Sequence, residues 1–254
     1  STVLALAIDG SGQVYVGGSF SQAGNVSANY VARFDPATNS WSALGTGAQN
    51  GVSGTVRALA IDGSGKVYVG GDFTQAGNVS ANRVARFDPA TNSWSTLGTG
   101  TQNGVSGGSF PYVSALAIDG SGKVYVGGQF TQAGNVSANN VARYDPATDT
   151  WSTLGTGAQN GVVNGIVNAL AIDGSGRVYV GGFFFQAGGV SASRVARFDP
   201  ATNSWSALGT SAQNGVSSTV LALAIDGSGK VYVGGGFTQA GGVSANYVAR
   251  FDPA

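Results

Sequence analysis

Eleven residues govern this chain: Ile61-Asp62-Gly63-Ser64-Gly65-Lys66-Val67-Tyr68-Val69-Gly70-Gly71 returns almost unchanged in five copies, beginning at Ile8, Ile61, Ile118, Ile172 and Ile225. The copies stand 53, 57, 54 and 53 residues apart, a period that marks a repeat architecture rather than a conventional domain. Each copy reads as a β-hairpin, because an apolar strand meets Asp-Gly-Ser-Gly and a second apolar strand follows. Asp and Gly tolerate the positive φ angles that tight hairpin loops demand. The repeat divides a single domain into units 1–54, 55–111, 112–165, 166–218 and 219–254.

Four strands are expected in a full unit. In the first, Val3 to Ile8 is apolar on both faces, as is Val14-Tyr15-Val16, which suits strands covered on both sides by stacked sheets. Gly17-Gly18 allows a close backbone approach. Ser19 to Asn29 reads as a polar loop, Tyr30 to Phe34 as the third strand, Asp35-Pro36-Ala37-Thr38-Asn39 as a turn, and Ser40 to Leu44 as the fourth strand. Glycine punctuates the chain and no stretch keeps a helical apolar period, so helical repeats are disfavoured. Short antiparallel strands at this spacing predict an all-β fold, a five-bladed β-propeller of four-stranded antiparallel blades closed about an axis. Only four copies of the fourth strand are present, carrying Trp41, Trp94, Trp151 and Trp205, so the last blade is expected to lack its outermost strand. Its third strand, Val248, Ala249, Arg250 and Phe251, is then an open edge on which another chain could assemble.

Val14-Tyr15-Val16-Gly17-Gly18 followed by Phe34-Asp35-Pro36-Ala37-Thr38-Asn39-Ser40-Trp41 resembles the kelch blade signature of a double glycine, an aromatic and a tryptophan. The run Ala58 to Thr74 is similar to the bacterial delta-60 repeats. The resemblance spans the whole chain and implies a propeller. It implies no single function, since such blades serve as enzymes, adhesins and scaffolds alike. Kelch blades within one domain usually diverge, whereas these units are nearly identical, which points to recent duplication or design.

Composition removes several classes of function. Twelve acidic residues, all Asp, balance twelve Lys and Arg, and the net charge of zero leaves no electrostatic footprint for nucleic acid or an anionic membrane. Cys, His and Met are absent, which excludes disulfides and thiolate metal sites. No apolar run is long enough to insert in a bilayer. A chain starting without Met in the apolar strand after Ser1 suggests a lost secretory leader, and hence an extracellular or cell-surface location. A neutral surface also favours association of the chain with itself.

Candidate chemistry is sparse. Asp9, Asp62, Asp119, Asp173 and Asp226 fall in hairpin turns, and Asp35, Asp88, Asp145, Asp199 and Asp252 precede proline. A role repeated five times reads as structural, so no catalytic residue and no enzymatic activity are expected. Arg33, Arg86, Arg143, Arg197 and Arg250 are expected to pair with neighbouring Asp or with carbonyls. Gly63-Ser64-Gly65-Lys66-Val67 fails as a phosphate loop because Ala60 and Val67 occupy positions that need Gly and a hydroxyl. One Asp per turn falls short of a calcium loop, so no metal or other cofactor is assigned.

Binding is the better reading. Alternating strand direction puts the short turns on one face and the longer connections on the other, and the units differ mainly on that second face. The residue after Gly-Gly is Ser19, Asp72, Gln129, Phe183 or Gly236, and the residue opening the third strand is Tyr30, Arg83, Asn140, Arg194 or Tyr247. Phe185 joins Phe183 as an exposed candidate, whereas Phe184 aligns with Phe20, Phe73, Phe130 and Phe237 and is expected in the core. Such a face suits an extracellular glycan or protein partner. Asn25, Asn78 and Asn135 each head an N-glycosylation pattern on these connections.

Overall fold

A computed structural model describes residues 1–47, 50–210 and 213–253. Each eleven-residue copy forms the expected hairpin. In the first unit Thr2–Ile8 pairs antiparallel with Val14–Ser19, placing Leu6 opposite Val16 and Ile8 opposite Val14. The turn is tied by its aspartate: one Asp9 carboxylate oxygen accepts the amides of Ser11 at 2.9 Å and Gln13 at 3.0 Å and the Ser11 hydroxyl at 2.7 Å. Gly12, at φ +86°, closes the loop in a conformation that side chains resist. The same bonding recurs at Asp62, Asp119 and Asp226, and at Asp173 through the amides of Ser175 and Arg177.

Third strands run Val31–Asp35, Val84–Asp88, Val141–Asp145, Val195–Asp199 and Val248–Phe251. They start one residue later than expected, because Tyr30, Arg83, Asn140, Arg194 and Tyr247 each adopt a positive φ of 62° to 68°. Fourth strands follow at Ser40–Ala43, Ser93–Thr96, Thr150–Thr153 and Ser204–Ala207. Strands neighbour one another in sequence order, which makes four four-stranded sheets and a three-stranded sheet built on Val220–Ile225. The polar stretch after the second strand is not a plain loop. Gln22–Ala23 pairs with Val26–Ser27 in a small hairpin, and each later unit repeats it.

A bulge interrupts every first strand, between Val3 and Ala5, Val56 and Ala58, Val113 and Ala115, Val167 and Ala169, and Val220 and Ala222. It lies opposite the double glycine, and the second glycine is what admits it: a Cβ on Gly18 would sit 2.0 Å from the Thr2 carbonyl oxygen.

The hydrophobic cores lie between sheets. Tyr15, Val31 and Leu44 of the first unit pack with Val56, Val67, Val69 and Phe73 of the second, and the pattern repeats along the chain. At each interface a valine of the later unit drops onto the first glycine of the earlier unit. A Cβ on Gly17, Gly70, Gly127 or Gly181 would meet Val56, Val113, Val167 or Val220 at 2.3 to 2.5 Å. Tryptophan supplies a second link, since the indole N–H of Trp94, Trp151 and Trp205 donates to the carbonyl of Leu44, Leu97 and Leu154 in the preceding unit. Connectors add a third: Val52, Val105, Val162 and Val216 pair with Ala76, Ala133, Ala187 and Ala240 of the following unit.

First strands pack on one another in series from Thr2–Ile8 to Val220–Ile225, and no contact of similar extent joins the last to the first among the described residues. The closed ring expected from the repeat is therefore not formed. Val3, Leu6 and Ile8 stay 54%, 64% and 68% exposed, and Val248 64% exposed, where their counterparts Val56 and Val84 are fully buried.

Two predictions follow from this packing. Gly127→Ala forces a Cβ against Val167, and urea denaturation is expected to show a loss of about 1–3 kcal/mol; Gly234→Ala, with nothing nearer than 3.8 Å, leaves the stability of the monomer unchanged. The second concerns acid. The Ser228 hydroxyl, followed by the Lys230 and Ser228 amides, lowers Asp226 to about 2. A carboxylate held below its unfolded value of ~3.9 contributes stability above that pH and loses it as the pH falls towards about 2. Urea midpoints of wild type and Asp226→Asn should differ at neutral pH and converge in acid.

Candidate functional site

The face carrying the short turns holds the repeated acids, and their hydrogen bonds are committed to the backbone. Asp35 accepts the Ala37 amide at 2.9 Å, and Asp88, Asp145 and Asp199 accept the amides of Ala90, Ala147 and Ala201 at the same turn of their units. Lys123 pairs with Asp145 at 3.0 Å and holds that carboxyl below its usual range, helped by the Ala147 amide. A cleft of about 610 Å³ opens on this face between the third and fourth units, with Asp119, Lys123, Tyr125, Arg143 and Asp173 among its walls. Its acids are spoken for as well: Asp119 and Asp173 bind their own turns and the hydroxyls of Tyr125 and Tyr179. Among the described residues, no three acidic, His or Cys side chains gather as a metal site.

The arginines behave differently from expectation. Arg33, Arg86, Arg143 and Arg197 donate Nε–H across to Ser42, Ser95, Ser152 and Ser206 of the fourth strand at 3.1 to 3.2 Å. Because they directly face those serines in the ladder, a neutral hydroxyl takes the place of the aspartate or carbonyl predicted.

On the opposite face the connections are pinned by buried amides. Asn50 and Asn103, 8% and 5% exposed, accept the amide N–H of Asn29 and Asn82 at 2.9 Å, and Asn160 does so from Asn139. The variable side chains thus stand on a fixed floor. Ser19 and Asp72 are exposed, Gln129 is half-buried, and Phe183 and Phe185 are 46% and 56% exposed with their rings edge to face at 5.9 Å. Phe184 is fully buried, as expected.

At the positive-φ positions, Tyr247 is exposed, while Tyr30 and Arg83 are half-buried and Arg83 donates to the Pro111 carbonyl. Asn140 departs from the expectation of a contact residue: it is buried, accepts the Phe130 amide at 3.1 Å and donates to the Val162 carbonyl at 2.7 Å. Arg194 lies over the Phe185 ring at 4.2 Å and near Phe183 at 5.9 Å, which makes one cation–aromatic cluster. Burial lowers the pKa of its guanidinium, and its Nε finds no hydrogen-bond partner among the described residues. Asn25, Asn78 and Asn135 are exposed on the small hairpins, and Phe110 is exposed on the longest connection.

One set of variable residues escapes the sequence reading. The bulged residue of each first strand is Leu4, Arg57, Ser114, Asn168 or Leu221. Arg57 pairs with both oxygens of Asp72 at 2.8 and 2.9 Å and lies over the Tyr112 ring. Ser114 and Asn168 donate to the carbonyls of Val167 and Val220 in the next unit. Aligning the copies beyond the double glycine exposes this position, but only the bulge says which way it turns.

At the end of the last sheet, no fourth strand lies beside Val248–Phe251 among the described residues. A cavity of about 220 Å³ opens there between Leu208, Gly209, Phe251 and Pro253. In every other unit an indole stacks at 5.0 to 5.2 Å on the aromatic that corresponds to Phe251.

Known proteins share this architecture. Residues 1–95 match the Rax2 C-terminal beta propeller domain, and residues 120–147, 174–201 and 227–254 match the beta-propeller domain of unknown function DUF5122. Kelch-like protein 25 of Xenopus tropicalis is 29% identical over 201 residues, which cover 78% of this chain and 30% of that protein. The extracellular domain of a putative one component system from B. thetaiotaomicron superposes with a TM-score of 0.60 at 14% identity, over 93% of this chain and 26% of the other. PorZ, a bacterial surface component of the type-IX secretion system of Porphyromonas gingivalis, gives 0.58 at 15% over 99% and 32%. Virginiamycin B lyase from Staphylococcus aureus gives 0.53 at 8% over 91% and 62%. The chain thus spans about a third or less of the kelch-like relative and of the first two structures. No helix of the described residues is long and apolar enough to cross a membrane. The propeller matches along the chain, its double-glycine sheets and the kelch-like relative make it a β-propeller repeat chain similar to the kelch-like proteins.

Proposed function

We propose that this chain is a non-catalytic extracellular propeller of five blades whose long-connection face contacts a protein or a glycan. The observation that carries the reading is the cluster of exposed Phe183 and Phe185 with half-buried Arg194, on the face where buried asparagines pin the connections of the first three units. Exposed aromatics stack on sugar rings and anchor protein contacts, and an adjacent guanidinium adds hydrogen bonds and charge. The non-catalytic part of the reading draws support from the acids, whose oxygens are taken by turn amides and by Lys, Arg and Tyr partners. A propeller as such does not exclude enzymes, since one of the similar structures is named a lyase. The extracellular location rests on similarity to an extracellular domain and a surface component.

A structural role is the second reading, favoured by the unpaired edge at Val248–Phe251 and the adjacent cavity. There an incoming strand would find both hydrogen-bonding groups and a slot for one aromatic side chain.

Two measurements test these readings. On glycan and extracellular-protein arrays, the wild type should bind a ligand that Phe183→Ala/Phe185→Ala loses by ~10-fold or more, with stability changed by less than ~0.5 kcal/mol. No ligand, or one retained by the double variant, rejects the recognition reading. Extending the chain by Thr-Asn-Ser-Trp-Ser-Ala-Leu-Gly should cap the edge and raise the thermal midpoint; assembly unaltered by the cap removes the edge as its cause.

A further inference from the structure

Both ends of the series of sheets carry one half of an interface that the molecule builds four times internally. On the leading side, Val3, Leu6 and Ile8 are exposed, and Val16, Phe20 and Trp41 lie behind them in a small cluster of their own. Their counterparts in the second unit are Val56, Leu59, Ile61, Val69, Phe73 and Trp94, all packed in the core shared with the first unit. On the trailing side, Tyr232 and Val248 are 38% and 64% exposed, where the matching Tyr15 and Val31 are fully buried. The glycine slots make the complementarity specific. Four are filled by a valine, whereas the fifth, at Gly234, has only Ala222 at 3.8 Å and the Tyr247 carbonyl at 3.9 Å near a built Cβ.

We propose that two copies of this chain dock head to tail, with Val3 of one copy seated in the Gly234 slot of the other. The occupant follows from the interface itself: the surface that fills this slot four times over is the surface the first unit leaves open. The two patches differ, so the contact is heterologous and each dimer still offers one free patch at either end. Growth into rings or filaments is the consequence. This inference is independent of the recognition reading, because neither patch includes Phe183, Phe185 or Arg194, and it differs from strand addition at the open edge, with which it shares Val248, because it joins faces rather than strand edges.

Two variants separate the patches without touching an internal core. Val3→Asp puts a charge on an exposed strand, and Gly234→Ala adds a methyl group that the single chain accommodates. Sedimentation velocity over a dilution series should show wild type in mass steps of 25.2 kDa. Each variant alone should stay monomeric, its association weakened at least ~10-fold. Mixed in equal amounts, the variants should form a dimer and nothing larger, since each retains the patch the other has lost. Circular dichroism and urea midpoints matching wild type establish that both variants are folded. A wild type that remains monomeric at every concentration overturns the proposal, as the patches then await some other partner. Assembly that persists in both variants also overturns it, and assembly abolished only by the strand cap assigns self-association to the edge at Val248–Phe251.

Discussion

The contact on which this structure depends is a valine side chain seated on a glycine in the neighbouring sheet. Sheets packed face to face ordinarily keep a side chain's thickness between their backbones, and the missing Cβ at Gly17, Gly70, Gly127 and Gly181 locally removes it. Around each seat, a buried tyrosine, a leucine and a third-strand valine complete the core. Apart from a small cluster inside the first unit, the apolar cores are shared between successive units. Stability is therefore largely a sum over neighbours, and the two ends are left with apolar surface that nothing among the described residues covers.

Polar interactions act both within a unit and between neighbours while using little charge. Asparagine amides fasten one connection to another, and serine hydroxyls receive the third-strand arginines. Indole N–H groups reach carbonyls of the preceding unit. The asparagine and indole bonds join neutral groups in partly buried places and so avoid the desolvation cost that ion pairs would carry. Variation is concentrated at three positions of the unit, where Asn140, Ser114 and Asn168 nevertheless bond to the framework. Residues after the double glycine and at the third-strand entry face the long connections, and residues in the bulge link one first strand to the next.

Much of this was legible because it is local. Asp-Gly-Ser-Gly predicts the turn that Asp9 closes, strands apolar on both faces predict stacked sheets, and alignment of Phe184 with Phe20 and its equivalents predicts its burial. What was illegible depends on contacts distant in sequence. Asn50 looks like any polar connector residue until the amide of Asn29 is found beside it. Asn140 and Arg194 occupy equivalent positions, yet one is consumed by the Val162 carbonyl and the other lies on Phe185. Arg33 was assigned an acid or a carbonyl because nothing in its own segment shows that Ser42 faces it across the ladder.

By itself, the sequence determined the unit: its four strands, its turns, the double glycine and the absence of thiol and imidazole chemistry. These follow from side-chain size, backbone preference and composition, which act within a few residues. The tertiary structure alone decided how successive units are rotated and joined, and hence that five of them leave two complementary faces apart rather than closing on each other. The angle between sheets is set by how valine, tyrosine and tryptophan pack across an interface. A small rotation repeated at every interface determines whether the ends meet, and no single repeat encodes that sum.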